Sequence, residues 1–311
     1  MKRLPPLLAA LAAAVLLAGC SPALTIPAGS PPPAPRLPAM TGSAYVVLQG
    51  ERVYYESGGS GTPVVLVHGI GAGNSSHLYR NNTAALAARH RVYAFDFPGF
   101  GRSGARAMRY TNDLYVAVLQ DFLRQVVREP AAIVGGSLGA DYAVRAAVET
   151  PELITRLLLS NPSGFGNLNG AADEGRWNLF ANSLVGDIAF GLIRTDLGLN
   201  VFLWNSVYLD RSLVTPEVTA LYSGNLRDAH KQYAPYSFFS GYLNQPAEPY
   251  WSRATQPTLL VWGSDDVFSP LREAEQFLKA RQVPLVVLPA RAIPYDERAA
   301  DFNRIALDFL R

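Results

Sequence analysis

The chain has 311 residues, of which 49% are hydrophobic and 17% charged, and its formal net charge is +2. This is globular composition, long enough for one large domain or two modest ones, and the near-neutral balance gives no basis for binding nucleic acid or an acidic polymer. Cys20 is the one cysteine, so an internal disulfide is excluded.

The chain opens MKRLPPLLAALAAAVLLAGC, with Lys2 and Arg3 ahead of an uncharged run from Leu4 to Ala18. That run is too short to span a bilayer comfortably, and its flanks suit a secretory signal. Leu17-Ala18-Gly19-Cys20 resembles the lipobox of bacterial lipoproteins. The resemblance implies cleavage after residue 19, diacylglycerol on the Cys20 thiol and an acylated amine. Several acyl chains hold a protein on a membrane where one does not. Losing residues 1–19 removes Lys2 and Arg3 and brings the net charge to zero. Ser21, rather than aspartate, after the cysteine implies the outer membrane in a cell that has two. Residues 20–43 hold seven prolines and no run of core-forming residues. They read as a lipidated cysteine on a proline-rich tether, with a reach of roughly 70 Å at about 3.1 Å per residue. The folded part is expected from Ala44.

AYVVLQG and RVYYESGG are two β-rich runs joined at Gly50-Glu51, a hairpin pattern. PVVLVHG (63–69), RVYAFDFPG (91–99), AAIVGGS (131–137), RLLLSNP (156–162), PTLLVWGSDD (257–266) and PLVVLPA (284–290) follow. Each is a continuous apolar run without alternation, as expected of strands buried on both faces of a parallel sheet. Residues 112–128 place Leu114, Val118, Leu119, Phe122 and Val126 on one helical stripe. Residues 138–149 predict an alanine-rich helix, and Ala299, Phe302, Ile305, Ala306 and Phe309 share a face of the last one. Alternating strands and helices predict an α/β doubly wound sheet. Between Pro162 and Pro257 the strand signal stops. This interval is rich in Trp, Phe and Tyr and contains a helix start at Thr215-Pro216-Glu217. It reads as an inserted helical subdomain, whose aromatics form the core between a lid and its base or, as the alternative, line a hydrophobic substrate cavity.

The chemistry lies at the ends of these strands. Gly135-Gly136-Ser137-Leu138-Gly139 follows a buried run and precedes a helix. A serine with glycines at minus two and plus two in that context is a nucleophile elbow. The N–H of Leu138 then faces the serine hydroxyl from a helix N-terminus, where developing negative charge is favoured. The sharp turn at His68-Gly69 makes the N–H of Ile70 a second oxyanion donor, with His68 as a structural hydrogen-bonding residue beneath it. No metal-ligand spacing and no dinucleotide or phosphate loop is visible, so no cofactor is expected.

Taken together, His68-Gly69-Ile70-Gly71, the Asp96-to-Ser103 loop DFPGFGRS, the elbow and PTLLVWGSDDVFSP resemble the cap-bearing branch of the α/β-hydrolase superfamily, in its order and spacing over residues 45–311. The resemblance implies an α/β-hydrolase core at 44–163 and 257–311 with 164–256 as cap. It also implies a serine hydrolase acting on an ester or related acyl bond, and Asp266 as the triad acid with Asp265 as runner-up. The NPSG after the sixth strand is similar to pheophytinase-like ester hydrolases. The family's G-H-x-P-x-x-E is here Arg291-Ala292-Ile293-Pro294-Tyr295-Asp296-Glu297. Pro294 and Glu297 fix the register, so alanine occupies the histidine slot. A serine hydroxyl is a weak nucleophile without an adjacent base. Two readings therefore stand: a hydrolase with a replacement base, His77 or His230, or a non-catalytic lipoprotein that holds an apolar ligand under its cap.

Overall fold

The computed structural model describes residues 31–166 and 170–311. Cys20, the leader before it and the first part of the tether lie outside the described residues. Eight strands form one sheet: β1 (Gly42–Leu48), β2 (Glu51–Gly58), β3 (Pro63–Val67), β4 (Arg91–Phe95), β5 (Ala131–Gly136), β6 (Ile154–Ser160), β7 (Thr258–Gly263) and β8 (Leu285–Leu288). Their order is β1-β2-β4-β3-β5-β6-β7-β8. The β1/β2 and β2/β4 pairs are antiparallel, and every pair from β4 to β8 is parallel. The apolar runs of β3 and β5 are buried at every position, as strands covered on both faces must be. The hairpin turns on Gln49 and Gly50, with φ of 51° and 75°. The sequence reading placed this turn one residue later; Glu51 is already paired with Leu48 in the ladder.

Helices cover both faces. In chain order they are α1 (Thr83–Ala87), α2 (Asn112–Phe122), α3 (Leu138–Glu149), α4 (Glu174–Ala181), α5 (Leu184–Ile193), α6 (Asp196–Phe202), α7 (Pro216–Asn225), α8 (Tyr233–Phe239), α9 (Glu248–Trp251), α10 (Ala274–Ala280), α11 (Pro294–Glu297) and α12 (Ala299–Phe309). The predicted 112–128 helix is α2, capped by the Thr111 hydroxyl accepting from Leu114 N–H, followed by one π turn at Leu123–Val127. One core packs α2 and α3 against the sheet through Leu119, Phe122, Tyr142 and Val144. The opposite core uses Leu86 of α1 and Phe302 and Ala306 of α12. Helices α4 to α9 lie between β6 and β7, where the cap was expected. Trp177, Phe190 and Tyr236 gather there with Leu226 and Ala72 in a separate cluster, so these aromatics form a core of the lid.

The folded part begins earlier than Ala44. The Glu56 carboxylate accepts the N–H groups of Arg36 and Leu37, both at 2.9 Å. Leu37 and Met40 are buried, and Arg102 Nη1 donates to the Ala34 carbonyl at 2.8 Å. Two apolar side chains inside a proline-rich run, together with a buried carboxylate that satisfies their backbone, fasten residues 34–40 along the β1–β2 edge.

Candidate functional site

Ser137 sits between β5 and α3 at φ 50° and ψ −132°. This left-handed strain is uncommon for a residue with a Cβ, and it marks sites where the surrounding structure imposes a side-chain direction. The flanking glycines explain how it is held. A Cβ on Gly135 would lie 2.9 Å from Ala140 Cα, and one on Gly139 would lie 2.5 Å from the His68 carbonyl. Helix, turn and neighbouring strand therefore close onto the elbow only without side chains there. The Ser137 N–H is fixed by the Ser160 carbonyl at 2.9 Å, and the residue is half-buried rather than sealed.

The Gly69–Ile70 turn is aimed by two side chains. His68 Nε2 accepts the Phe97 N–H at 3.0 Å, so Nδ1 carries the proton and donates to the Gly69 carbonyl at 2.8 Å. Asn74 Nδ2 donates to the same carbonyl at 3.1 Å. In a trans peptide the C=O and the next N–H point in opposite directions. Fixing the Gly69 carbonyl therefore fixes the Ile70 N–H. The peptide lies against the nucleophile, since a Cβ on Gly69 would be 3.0 Å from Ser137 Cβ. Leu138 is the first residue of α3, so its N–H has no carbonyl one turn back to satisfy it. Burial lowers the His68 pKa; with both ring nitrogens engaged it positions the turn and is not a base.

Asp266, just after β7, is buried. Its Oδ1 accepts the Phe268 N–H at 2.8 Å, and its Oδ2 accepts from Asn161 Nδ2 in a very short contact. Burial pushes the carboxyl above its ordinary range, and the Asn161 bond opposes that shift. Asp265 is exposed and turns to the Ser264 hydroxyl. Sequence reasoning missed Asn161. It has φ 47°, receives Gly263 N–H on its carbonyl, and donates to both Asp266 and the Arg291 carbonyl. Its amide thus joins the Asp266 loop to the Arg291 loop. The only local signal is the asparagine-proline pair in NPSG.

That second loop is tied to the cap. Ala292 N–H donates to the Val207 carbonyl at 3.3 Å. Arg291 Nη1 donates to the carbonyls of Trp204 at 2.9 Å and Tyr208 at 3.2 Å. Glu297 accepts the N–H groups of Arg291 and Asp210. Arg291 therefore ends the π turn Leu203–Val207, which continues α6, by satisfying its last carbonyls. Arg291→Gly is expected to lower stability by about 2 kcal/mol, as loss of charge-assisted bonds does, read as a shifted urea midpoint. Tyr295 packs beneath the elbow, with its hydroxyl 2.7 Å from where a Gly136 Cβ would be, stacked on Tyr79 at 4.7 Å. Burial drives its phenol well above the ordinary range, so it stays protonated and offers no base.

Neither candidate replacement histidine is hydrogen-bonded to Ser137 among the described residues. His77 is buried under α7. Its Nδ1 is 2.8 Å from the Ser75 hydroxyl and 3.3 Å from Asn225 Nδ2, and its ring meets Tyr222 edge-on at 4.6 Å. Because Asn225 offers only N–H there, Nδ1 accepts, and Nε2 finds no partner among the described residues. Burial first, then nearby Arg80, holds its pKa well below normal. It pins the cap to the oxyanion-side loop. His230 lies on the cap with its backbone N–H on Asp228 at 2.9 Å and its ring beside Tyr233. The structure thus sets the Gly69–Ile70 turn and Leu138 beside Ser137 and links Asp266 through Asn161 to the Arg291–Ala292 loop, and it leaves both histidines engaged elsewhere. Between cap and core, a cavity of about 610 Å³ has Leu138, Ser163, Gly164 and Tyr242 in its walls, a size suited to a small molecule.

A family model described as alpha/beta hydrolase fold matches residues 62–297. A 2-hydroxy-6-oxononadienedioate/2-hydroxy-6-oxononatrienedioate hydrolase from Comamonas testosteroni is 30% identical over 273 residues, covering 85% of this chain and 92% of that protein. A 2-hydroxy-6-oxo-6-phenylhexa-2,4-dienoate hydrolase from Burkholderia cepacia is 31% identical over 278 residues, covering 85% and 92%. Among solved structures, a serine hydrolase involved in carbazole degradation superposes with a TM-score of 0.72 at 24% identity, covering 86% of this chain and 98% of that one.

Proposed function

Since the chain belongs to the α/β-hydrolase fold family, we propose that it hydrolyses an acyl bond of a largely apolar small molecule at Ser137, with an oxyanion hole and an acid but no histidine in the triad. The observation that carries this is Ser137 itself: it is kept at a strained, positive φ beside a peptide whose direction two side chains enforce. Such strain persists only where the surroundings over-determine it. In the reaction the Ser137 Oγ bonds to the substrate carbonyl carbon, the Ile70 and Leu138 N–H groups hold the oxyanion, and the leaving group departs with the hydroxyl proton. Water then releases the acyl group. An oxyanion hole and binding without a complete triad sustain about 10³–10⁴-fold acceleration over water, so turnover is slow. The bond is an ester or the acyl bond of an oxodienoate like those named for the relatives; both present a carbonyl to the same hole.

The second reading, a non-catalytic ligand-binding protein, is favoured by Ala292 and by the Asn161 amide already seated on Asp266. Labelling by a fluorophosphonate separates the two. Wild-type protein is expected to label and to turn over short-chain nitrophenyl esters or 2-hydroxy-6-oxo-6-phenylhexa-2,4-dienoate, and Ser137→Ala to do neither. Absence of labelling and of serine-dependent turnover, with ligand-induced thermal stabilisation retained, selects the binding reading. We place the protein on a bilayer, through acylation of Cys20 after removal of residues 1–19; incorporation of a fatty-acid analogue lost on Cys20→Ser tests this.

A further inference from the structure

The cap carries an apolar surface that its own core does not use. On α5, Leu184 is 75% exposed, and Val185, Ile188 and Leu192 are 46–51% exposed. On α6, Leu197 is 73% and Val201 47% exposed. The first four recur at helical spacing on one face, and a Cβ placed on Gly191 in the same helix meets nothing within 4 Å. A contiguous aliphatic face of this kind is unusual on a monomeric soluble surface.

The path of the N-terminal segment indicates what covers it. Reading backwards, the chain runs from Ala39 and Met40 beside Gly58, past Glu56, to Ala34 beside Arg102. Strand β2 is antiparallel to β4 with Gly58 opposite Val92. The segment therefore climbs toward the end of the sheet that carries Ser137 and the cap. At that end Lys231 Nζ donates to the Gly101 carbonyl, next to Arg102, and neighbouring Gln232 donates to Asp187 of α5 at 3.3 Å. The exit of the tether and the apolar helix are thus joined through adjacent residues. Thirteen residues separate Cys20 from Ala34, a reach of at most roughly 40 Å at about 3.1 Å each.

We infer that the α5–α6 face of the cap lies on the lipid bilayer, seated in its interface. The inference rests on the Cys20 reading for its tether, and on the exposed face for its contact. All six side chains are Leu, Ile or Val, without the Trp, Tyr and Arg anchors that enrich protein–protein hot spots. Residues 183–202 contain Asp187, Arg194 and Asp196 as their charged residues. Attachment therefore comes from apolar burial and not from attraction to anionic lipid.

The test uses the chain from residue 20 onward with Cys20→Ser, so that no acyl chain contributes. It is expected to co-float with neutral phosphatidylcholine vesicles, equally at low and high salt. Leu184→Asp with Ile188→Asp and Leu197→Asp is expected to reduce partitioning at least tenfold while leaving the melting temperature within a few degrees, since all three positions are exposed. Equal partitioning of the two proteins, or none by either, overturns the inference. So does a wild-type dimer that the substitutions make monomeric, because the face then covers a second copy. Failure of fatty-acid incorporation at Cys20 removes the anchor and leaves the vesicle result standing, so the two readings fail separately.

Discussion

Replacing Ala292 with histidine is expected to raise ester hydrolysis at Ser137 by about 10²–10⁴-fold, the usual contribution of a positioned general base. This rests on the reading that position 292 is the triad's histidine slot. Register is fixed by Pro294 and Glu297, and the backbone is held by the bond from Ala292 N–H to Val207 and by the Arg291 clamp on the cap. With Asp266 read as the triad acid, one acceptor position is left to it. Asp266 accepts from the Phe268 N–H, from Asn161 and from the Ser269 N–H, whereas a carboxylate accepts about four. An imidazole at 292 can therefore donate Nδ1–H to Asp266 and receive the Ser137 proton on Nε2. The gain should vanish with Ser137→Ala and largely vanish with Asp266→Asn, which no longer fixes the tautomer. It should also bring a new ascending limb in kcat/KM as pH rises through about 6.5, where the imidazole becomes the neutral base. A folded variant with no gain on any ester or oxodienoate would mean that Ser137 is not aimed at a bound acyl group, and would favour the ligand-binding reading.

What the sequence revealed and what it hid divide along a physical line. Buried strands announce themselves through continuous apolar runs, so β3 to β7 were legible; the run at 284–290 also forms a strand, but β8 lies at the sheet edge with Val287 43% exposed and is not buried on both faces as expected. The elbow was legible because its glycines flank the serine within two residues on each side, although the carbonyl that excludes a Cβ at Gly139 comes from distant His68. The roles of Asn161 and Arg291 were not. Asn161 meets Asp266 across 105 residues of chain, and Arg291 satisfies carbonyls at the end of a cap helix more than 80 residues away. No local pattern encodes either contact. The same holds for His77: its neighbour Ser75 is close in sequence, but the Asn225 amide that fixes its tautomer comes from α7 of the cap, 148 residues further along the chain. Residues 34–40 read as tether because prolines dominate the composition; only the pairing of their backbone with Glu56 draws them into the fold.

Asp141→Asn is expected to stabilise the protein at pH 8 by up to about 4 kcal/mol and to change it little near pH 4. Asp141 lies one turn beyond Ser137 on α3, fully enclosed. Its Oδ2 accepts both the N–H and the hydroxyl of Ser163, at 2.9 and 3.0 Å, in the wall of the cavity beside Leu138. Burial pushes its carboxyl from the ordinary 3.8 up to about 7, against the pull of those two bonds and of the Gly164 N–H. A raised carboxyl means that the folded state binds more protons than the unfolded chain between those two values. Stability is therefore full below about pH 4, falls as pH rises toward about 7, and stays low above it, at about 1.36 kcal/mol per pH unit within the window. The amide keeps the shape and can accept both Ser163 bonds on its oxygen without acquiring a charge. Asp266 and Asp296 are also raised by burial, so the wild-type profile alone sums several groups. The difference between wild type and Asp141→Asn isolates this one. Urea unfolding at half-unit steps from pH 4 to 8.5 should show that difference opening across the window and then levelling. A constant difference would mean that the Ser163 bonds outweigh desolvation and keep Asp141 ionised throughout.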